Sequence, residues 1–228
     1  MTPISSKFVA RLATLALAAL ATSAAPQARA QTAPAASAQG DVDIMTLAKM
    51  VRGGGYILAM RHERTGTTPV RDDYSRPESE CRAQRNLSLA GIAASQETGD
   101  ALRKIGVPVV RVLYSPMCRT MDTATHAFGG WVTRVDAEPL LMHHNNVPGR
   151  DAAAAGREMR QLVTGIEPGG SNIVLVTHIV NIMAGLGPEL AEGEIAVFKK
   201  QGDGSATLVG RALGSEWSLA ARNADRLK

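Results

Sequence analysis

Short apolar runs alternate with segments of helical periodicity over most of the chain. Three short, mostly apolar runs predict buried strands, at 55–60, 109–114 and 173–176. A short strand is expected at 132–135. Two closing strands are expected at 194–198 and 206–210, joined by the Gly202-Asp203-Gly204 turn.

Helical patterns separate these runs. Ser88 is placed to cap a helix over 89–105 that Gly106 ends, and Asp151 is placed to cap a helix over 151–163. Further helices are predicted at 119–128 and 181–186. Since unbroken apolar strands alternate with helices, the pattern predicts an α/β fold: a three-layer α/β/α sandwich around a mostly parallel sheet.

The N-terminus has the three-part pattern of a secretory signal peptide. Lys7 and Arg11 precede an uncharged run, 12–28, and small residues flank Arg29, so cleavage is expected after Ala30. A membrane anchor is the alternative reading, but a spanning helix needs about 20 strongly apolar residues. We expect a signal peptide at 1–30, a flexible linker at 31–43, a domain at 44–222 and a C-terminal tail at 223–228, with no membrane span after signal removal.

Charge argues against a nucleic-acid partner. The formal net charge is +4, but three of the basic residues, Lys7, Arg11 and Arg29, lie in the predicted signal peptide. The rest of the chain is therefore close to neutral and lacks the basic excess that neutralises phosphate backbones. The sequence leaves the oligomeric state open.

Cys81 and Cys118 are the only cysteines. In an oxidising compartment they can form a disulfide, and the alternative is two independent buried thiols. Their spacing does not suggest zinc, and we expect neither a metal nor another cofactor.

Cationic or titratable residues follow the three predicted buried strands. Arg61-His62 follows the first, Ser115 to Arg119 the second, and Thr177-His178 the third. Because active sites of such sheets lie beyond the carboxyl ends of the strands, these residues are expected to meet. Two guanidinium groups match the oxygens of a phosphoryl group, and a neutral imidazole can attack phosphorus.

The segments MRHERTGTT, QRNLSLAG, LYSPMCRTMDTA and VLVTHIVNI resemble the histidine phosphatase superfamily, which includes phosphoglycerate mutases and acid phosphatases. The resemblance covers most of the chain after about Met45. Within the family, this chain is similar to the branch without a large cap domain. It implies that His62 carries the phosphoryl group while Arg61, Arg119 and His178 bind the phosphoryl oxygens. Water would then release phosphate.

Three departures from this family leave the proton donor to the leaving group open. Glu63 stands where the family commonly has Gly, and Ile179 stands where its acid phosphatases have Asp. Mutase-like members supply a Glu from the segment that here spans 138–144. Glu63 is the first candidate donor because it is nearest to His62 in sequence. A solvated surface carboxylate is the alternative reading of Glu63, and other candidates could arrive on loops: Asp72, Asp73, Glu80 and His143.

The sequence thus favours an exported, metal-independent phosphatase acting on a small phosphorylated substrate. The missing acid keeps a second hypothesis open, a phosphate- or phosphosugar-binding protein with a vestigial site. A protein-phosphohistidine phosphatase is a third, suggested by the open site, although export argues against it. The pair His143-His144 can be read as metal ligands or as the rim of the site, and Arg85 as a brace of the site loops.

Overall fold

The computed structural model describes residues 42–66, 71–76 and 78–227. The predicted signal peptide and nearly all of the predicted linker lie outside these ranges. Within the described residues, no helix is both long and apolar enough to cross a bilayer.

Six strands form one sheet in the order β3-β2-β4-β1-β5-β6. In chain order they are β1 Ile57–Arg61, β2 Val109–Tyr114, β3 Val135–Ala137, β4 Asn172–Thr177, β5 Ile195–Lys200 and β6 Ala206–Ala212. The first four are mutually parallel where they pair, while β5 runs antiparallel to both β1 and β6. β4 therefore lies between β2 and β1, which brings the three predicted strand exits side by side.

In the described part of the chain, six α-helices cover the sheet: α1 Ile44–Arg52, α2 Leu89–Ile105, α3 Cys118–Phe128, α4 Ala152–Gly165, α5 Ile179–Leu186 and α6 Gly214–Arg222. Successive residues of β1 point to opposite faces, as a strand requires. Leu58 and Met60 pack with residues of α1, α2, α3 and α6, including the fully buried Trp217. Ile57 and Ala59 pack with residues of α4 and α5. The predicted three-layer α/β sandwich is confirmed.

Local signals set several helix ends. The Ser88 hydroxyl accepts a hydrogen bond from the Gly91 amide at 3.0 Å, and Gly106 ends α2 in the left-handed region at φ 82°. The Asp151 carboxylate accepts from the Ala154 amide at 2.7 Å. These caps are the ones the sequence predicts, because capping depends on residues three or four positions apart.

Other boundaries differ from the sequence predictions. The third strand is at Val135–Ala137 and not at 132–135, because the chain at Val132 still turns back on α3 through a hydrogen bond to the Phe128 carbonyl. The sequence pattern also did not reveal α1 and α6. Residues 224–227 form a 3-10 helix in the segment set apart as a tail, and Leu227 is buried against the core.

Candidate active site

The carboxyl ends of β1, β2 and β4 meet through backbone hydrogen bonds. The His62 amide donates to the Thr177 carbonyl and the Ser115 amide donates to the Val176 carbonyl, each at 3.0 Å. Two histidines that are far apart in sequence, His62 and His178, therefore have ring centres 5.5 Å apart. We call Arg61, His62, Arg119 and His178 the cradle.

His62 is held as a neutral base. Its side chain is 4% exposed, and its Nδ1 lies 2.8 Å from the Glu63 carbonyl oxygen. A carbonyl can only accept, so Nδ1 carries the proton and Nε2 keeps a free lone pair. Burial, with the positive charges of Arg119 and Arg61, lowers the pKa of His62 to about 3. The ring is thus neutral near pH 7, the state a nucleophile needs.

His178 lies against Ser115, a residue that motif reading did not single out. Its Nε2 is 2.9 Å from the Ser115 hydroxyl, while Nδ1 is buried with no hydrogen-bond partner. Donation by the hydroxyl leaves the proton on Nδ1, where it can be offered to an anion. Burial and the charge of Arg119 hold the pKa of His178 well below its usual value.

Arg119 belongs to the first turn of α3 and is almost completely buried, at 2% exposed. It donates from Nη1 to Asp72 Oδ1 at 3.0 Å, and its Nε has no partner. Arg61 ends β1 and donates to the Leu190 carbonyl at 2.9 Å, and its Nε is also buried without a partner. Buried donors without acceptors are costly, so the cradle is built to receive an anion with several oxygens.

The Asp72 carboxylate accepts hydrogen bonds from several donors, one of which is Arg119. Besides Arg119 it accepts from the Arg85 amide at 2.9 Å and from the Tyr74 hydroxyl at 3.1 Å. Although burial acts to raise it, these partners lower the pKa of Asp72. The Arg85 guanidinium lies 3.7 Å from the same carboxylate, which agrees with its interpretation as a brace.

Cys81 and Cys118 are joined by a disulfide bond. Cys118 is the first residue of α3, directly before Arg119. Cys81 opens a 3-10 helix, Cys81–Ala83, whose last carbonyl accepts from the Asp73 amide at 2.8 Å. The disulfide therefore ties the segment that carries Asp72 to the helix that carries Arg119.

Glu63, the first candidate donor, points elsewhere. Its carboxylate is 4% exposed and lines a cavity of about 300 Å³ together with Glu97, Thr98 and Glu192, closed by Leu213 and Gly214. None of the cradle residues lines this cavity. Burial, with repulsion from Glu192 and Glu97, raises the pKa of Glu63. We call this space the acidic cavity, and its position gives no support to Glu63 as the proton donor.

His143 is next to the cradle. Its ring centre is 5.1 Å from that of His178, edge to face, and 4.6 Å from that of His144 in a stacked arrangement. Within the described residues, no three His, Cys, Asp or Glu side chains are grouped as metal ligands. His126 lies exposed on α3, away from these contacts.

The cradle thus gathers two guanidinium groups and two imidazoles at the carboxyl edge of the parallel strands β1, β2 and β4, a set of groups suited to an anion with several oxygens. Solved structures with the same fold are histidine phosphatases. The protein histidine phosphatase SixA complexed with tungstate is 18% identical with a TM-score of 0.52, and the match covers 70% of this chain and 97% of that one. A phosphoserine phosphatase mutant from Entamoeba histolytica in complex with phosphoserine is 14% identical with a TM-score of 0.51, covering 71% and 98%.

A mycobacterial glucosyl-3-phosphoglycerate phosphatase in complex with inorganic phosphate is 15% identical with a TM-score of 0.51, covering 70% and 98%. No protein-family model and no curated protein matches the sequence. The resemblance drawn from the sequence motifs is therefore confirmed at the level of the fold: this chain has the histidine phosphatase fold.

Proposed function

We propose that the protein is an exported phosphatase that hydrolyses a phosphomonoester through a phosphohistidine on His62. The observation that carries this proposal is the bond from His62 Nδ1 to the Glu63 carbonyl, which leaves Nε2 free beside His178. Nε2 would attack phosphorus, and the leaving oxygen would take the electron pair of the broken P–O bond. Arg61, Arg119 and His178 would hold the other oxygens, and water would then cleave the N–P bond.

Trapping the phosphoenzyme tests this proposal. The mature protein is mixed with a radiolabelled aryl phosphate and denatured in alkali, where phosphohistidine persists. We expect label on the peptide that contains residue 62. His62→Ala should abolish the label and lower turnover by at least about 10³-fold, because no other group can form the covalent intermediate. His126→Ala is the matched control. Absence of label in the wild type, or full turnover by His62→Ala, contradicts the mechanism.

One observation favours a second candidate function, a phosphate-binding protein without turnover. Glu63, the first candidate for the proton donor, lines a separate cavity, and Ile179 stands where the acid phosphatases of the family that this chain resembles have Asp. Among the described residues, the cradle therefore lacks a carboxylic acid placed to protonate a leaving oxygen. Calorimetry with inorganic phosphate distinguishes the two functions. Tight binding without any phosphoenzyme supports the binding protein, whereas labelled His62 with turnover supports the phosphatase.

Export is supported by two features that are far apart in sequence. The first is the signal-peptide pattern of residues 1–30. The second is the Cys81–Cys118 disulfide, a bond typical of oxidising compartments. N-terminal sequencing of the protein from the extracytoplasmic fraction tests this part: we expect Gln31 as the first residue, and a chain that still begins at Met1 contradicts it.

The SixA structure with the same fold is named a protein histidine phosphatase. The proposed attack of His62 on phosphorus would cleave the P–N bond of a phosphoramidate as well as the P–O bond of an ester. Export argues against a cytosolic phosphohistidine protein as the partner. A panel that includes small phosphoesters and a phosphoramidate, assayed with the mature protein, identifies the substrate class.

A further inference from the structure

The leaving group of a phosphoryl transfer departs on the side of phosphorus opposite the nucleophile. A group that assists it must therefore lie beyond the phosphoryl oxygens as seen from His62. His178 is in ring contact with both His62 and His143. Among the described residues no ring contact joins His143 to His62. His143 therefore borders the cradle at His178 and leaves the ring of the nucleophile free, so it is among the groups that a leaving oxygen can meet.

The backbone before His143 is fixed to the residues around His178. The Thr177 hydroxyl donates to the Leu141 carbonyl at 2.9 Å, and the Asn181 amide group donates to the Met142 carbonyl at 3.1 Å. Arg150 donates to the same Met142 carbonyl at 2.9 Å. These three buried or half-buried contacts hold His143 at a defined position relative to His178, as a substrate-assisting group requires.

The proton of His143 has a fixed place. Its Nδ1 accepts a hydrogen bond from the Asn145 amide at 3.2 Å. An amide N–H can only donate, so in the neutral ring the proton is on Nε2. Tyr74 stacks on the ring, with centres 5.6 Å apart. Burial, with the neighbouring His144 and the charge of Arg119, lowers the pKa of His143 to about 4. The ring is therefore a neutral donor near pH 7.

The carboxylates that could compete for this task are held elsewhere. Glu138 caps a 3-10 helix by accepting from the Leu140 amide at 3.1 Å. The remaining acids are engaged as follows: Glu63 in the acidic cavity, Asp72 on Arg119, Asp73 with Ser75, and Glu80 with Arg76. Glu192 also contacts the cradle, but it is held there as the ion-pair partner of Arg61, with 3.7 Å between its Oε1 and Arg61 Nη2. Of the candidate donors that the sequence offers, His143 therefore remains beside the cradle.

We propose that His143 Nε2–H donates a hydrogen bond to the leaving oxygen, and that this restricts efficient turnover to phosphorylated substrates with weakly basic leaving groups. The inference rests on the proposed phosphatase function and adds a substrate class to it. His62 Nε2 forms the bond to phosphorus while the P–O bond breaks. The oxygen departs as an anion that the Nε2–H hydrogen bond stabilises, and it takes its proton from solvent.

The restriction to weakly basic leaving groups follows from the weak acidity of the His143 N–H donor. A carboxylic acid transfers its proton to a basic alkoxide, whereas a neutral imidazole N–H only shares one. A neutral histidine acting as a hydrogen-bond donor to developing negative charge has precedent in triosephosphate isomerase. Aryl phosphates and other esters of acidic alcohols suit such a donor, and simple alkyl phosphates do not.

A series of aryl phosphates with phenols of graded acidity tests the inference. kcat/KM is measured for wild type, for His143→Leu, which has no donor, and for His143→Gln, which keeps an N–H. For His143→Leu we expect little loss with the most acidic phenol and about 10²-fold loss with the most basic one. His143→Gln should lie between the two. His126→Leu is the matched control and should follow the wild type throughout.

The outcomes separate this inference from the proposed function. A loss that is the same for all phenols, or equal in His143→Leu and His143→Gln, means that His143 only supports the structure and overturns the inference while the phosphatase proposal stands. No loss in either variant overturns it too. If the wild type does not cleave even the most acidic ester, the proposed function fails and the inference fails with it.

Discussion

Two neighbouring residues, His62 and Glu63, leave β1 toward two sites of opposite charge. His62 enters the cradle among Arg61, Arg119 and His178, and Glu63 enters the acidic cavity with Glu97 and Glu192. Burial moves both groups toward their neutral forms, lowering the pKa of His62 and raising that of Glu63. Like charges around each group add to the effect of burial, whereas at Glu63 the amide and the charge of Arg64 act against it.

The comparison shows why nearness in sequence is a poor guide to nearness in a site. Glu63 directly follows the proposed nucleophile in sequence, yet its carboxylate lines a separate cavity. His143 is far from His62 in sequence, yet it contacts His178. In an extended chain successive side chains point to opposite sides, so the Glu63 side chain can turn away from the site that His62 enters.

Among variants that keep the proposed nucleophile, the largest effect is expected from Arg119→Lys, which would show how far the cradle depends on guanidinium geometry. Lysine keeps the charge but cannot bind two oxygens in a fork, so kcat should fall by about 10²–10³-fold. Steady-state kinetics with an aryl phosphate checks this, with Arg103→Lys on the exposed part of α2 as the control. A change confined to KM would mean that Arg119 binds substrate and transition state equally.

Removing the disulfide should weaken the cradle side of the molecule selectively. Cys81 and Cys118 are separated by 37 positions, so the double variant Cys81→Ser/Cys118→Ser should lose about 3–4 kcal/mol of unfolding free energy. Urea denaturation measures the loss. A reductant should destabilise the wild type by a similar amount and leave the double variant unaffected. A wild type that reductant does not destabilise speaks against this role.

Acid should distinguish the two regions by the sign of its effect. The unfolded chain binds a proton on His62 near its ordinary pKa of 6.5, whereas the folded chain does so only near 3. Stability contributed by neutral His62 is therefore present above pH 6.5 and lost as the pH falls toward 3, by up to about 1.4 kcal/mol per pH unit. Denaturation curves between pH 7 and 4 check this, and His62→Gln should have the shallower slope. Equal slopes in both proteins contradict the assignment.

Glu63→Gln should have the smallest effect on activity. Because its carboxylate lies outside the cradle, kcat/KM should change by less than about tenfold, below what a general acid contributes. The raised pKa of Glu63 means that the folded state favours its protonated form, so its stabilising effect is lost as pH rises through that pKa. Thermal unfolding at pH 8 should then occur at a higher temperature in the variant. A large loss of kcat would return Glu63 to the role of proton donor.

Much of the frame was predictable from local sequence. The strand 109–114 and the helix 89–105 were predicted with the bounds the structure gives them. The expectation that this strand is buried throughout was wrong, because only Val112 and Leu113 are buried and Val110 is exposed. The signals for these elements, a mostly apolar run and a Ser cap with a terminal Gly, act over a few residues.

α1 and α6 were missed although local signals exist for both. The Asp43 carboxylate caps α1 by accepting from the Met45 and Thr46 amides, and the Glu216 carboxylate accepts from the Leu213 amide at the start of α6.

The sequence by itself determined the chemistry that each strand delivers: His62 after β1, His178 after β4, and Arg119 one turn beyond β2. Only the tertiary structure decided what those groups meet. Ser115 beside His178, Asp72 over Arg119, Glu63 in its own cavity and His143 at the rim all depend on contacts between segments that are far apart in the chain. Such contacts form when the layers pack, and no pattern of neighbouring residues encodes them.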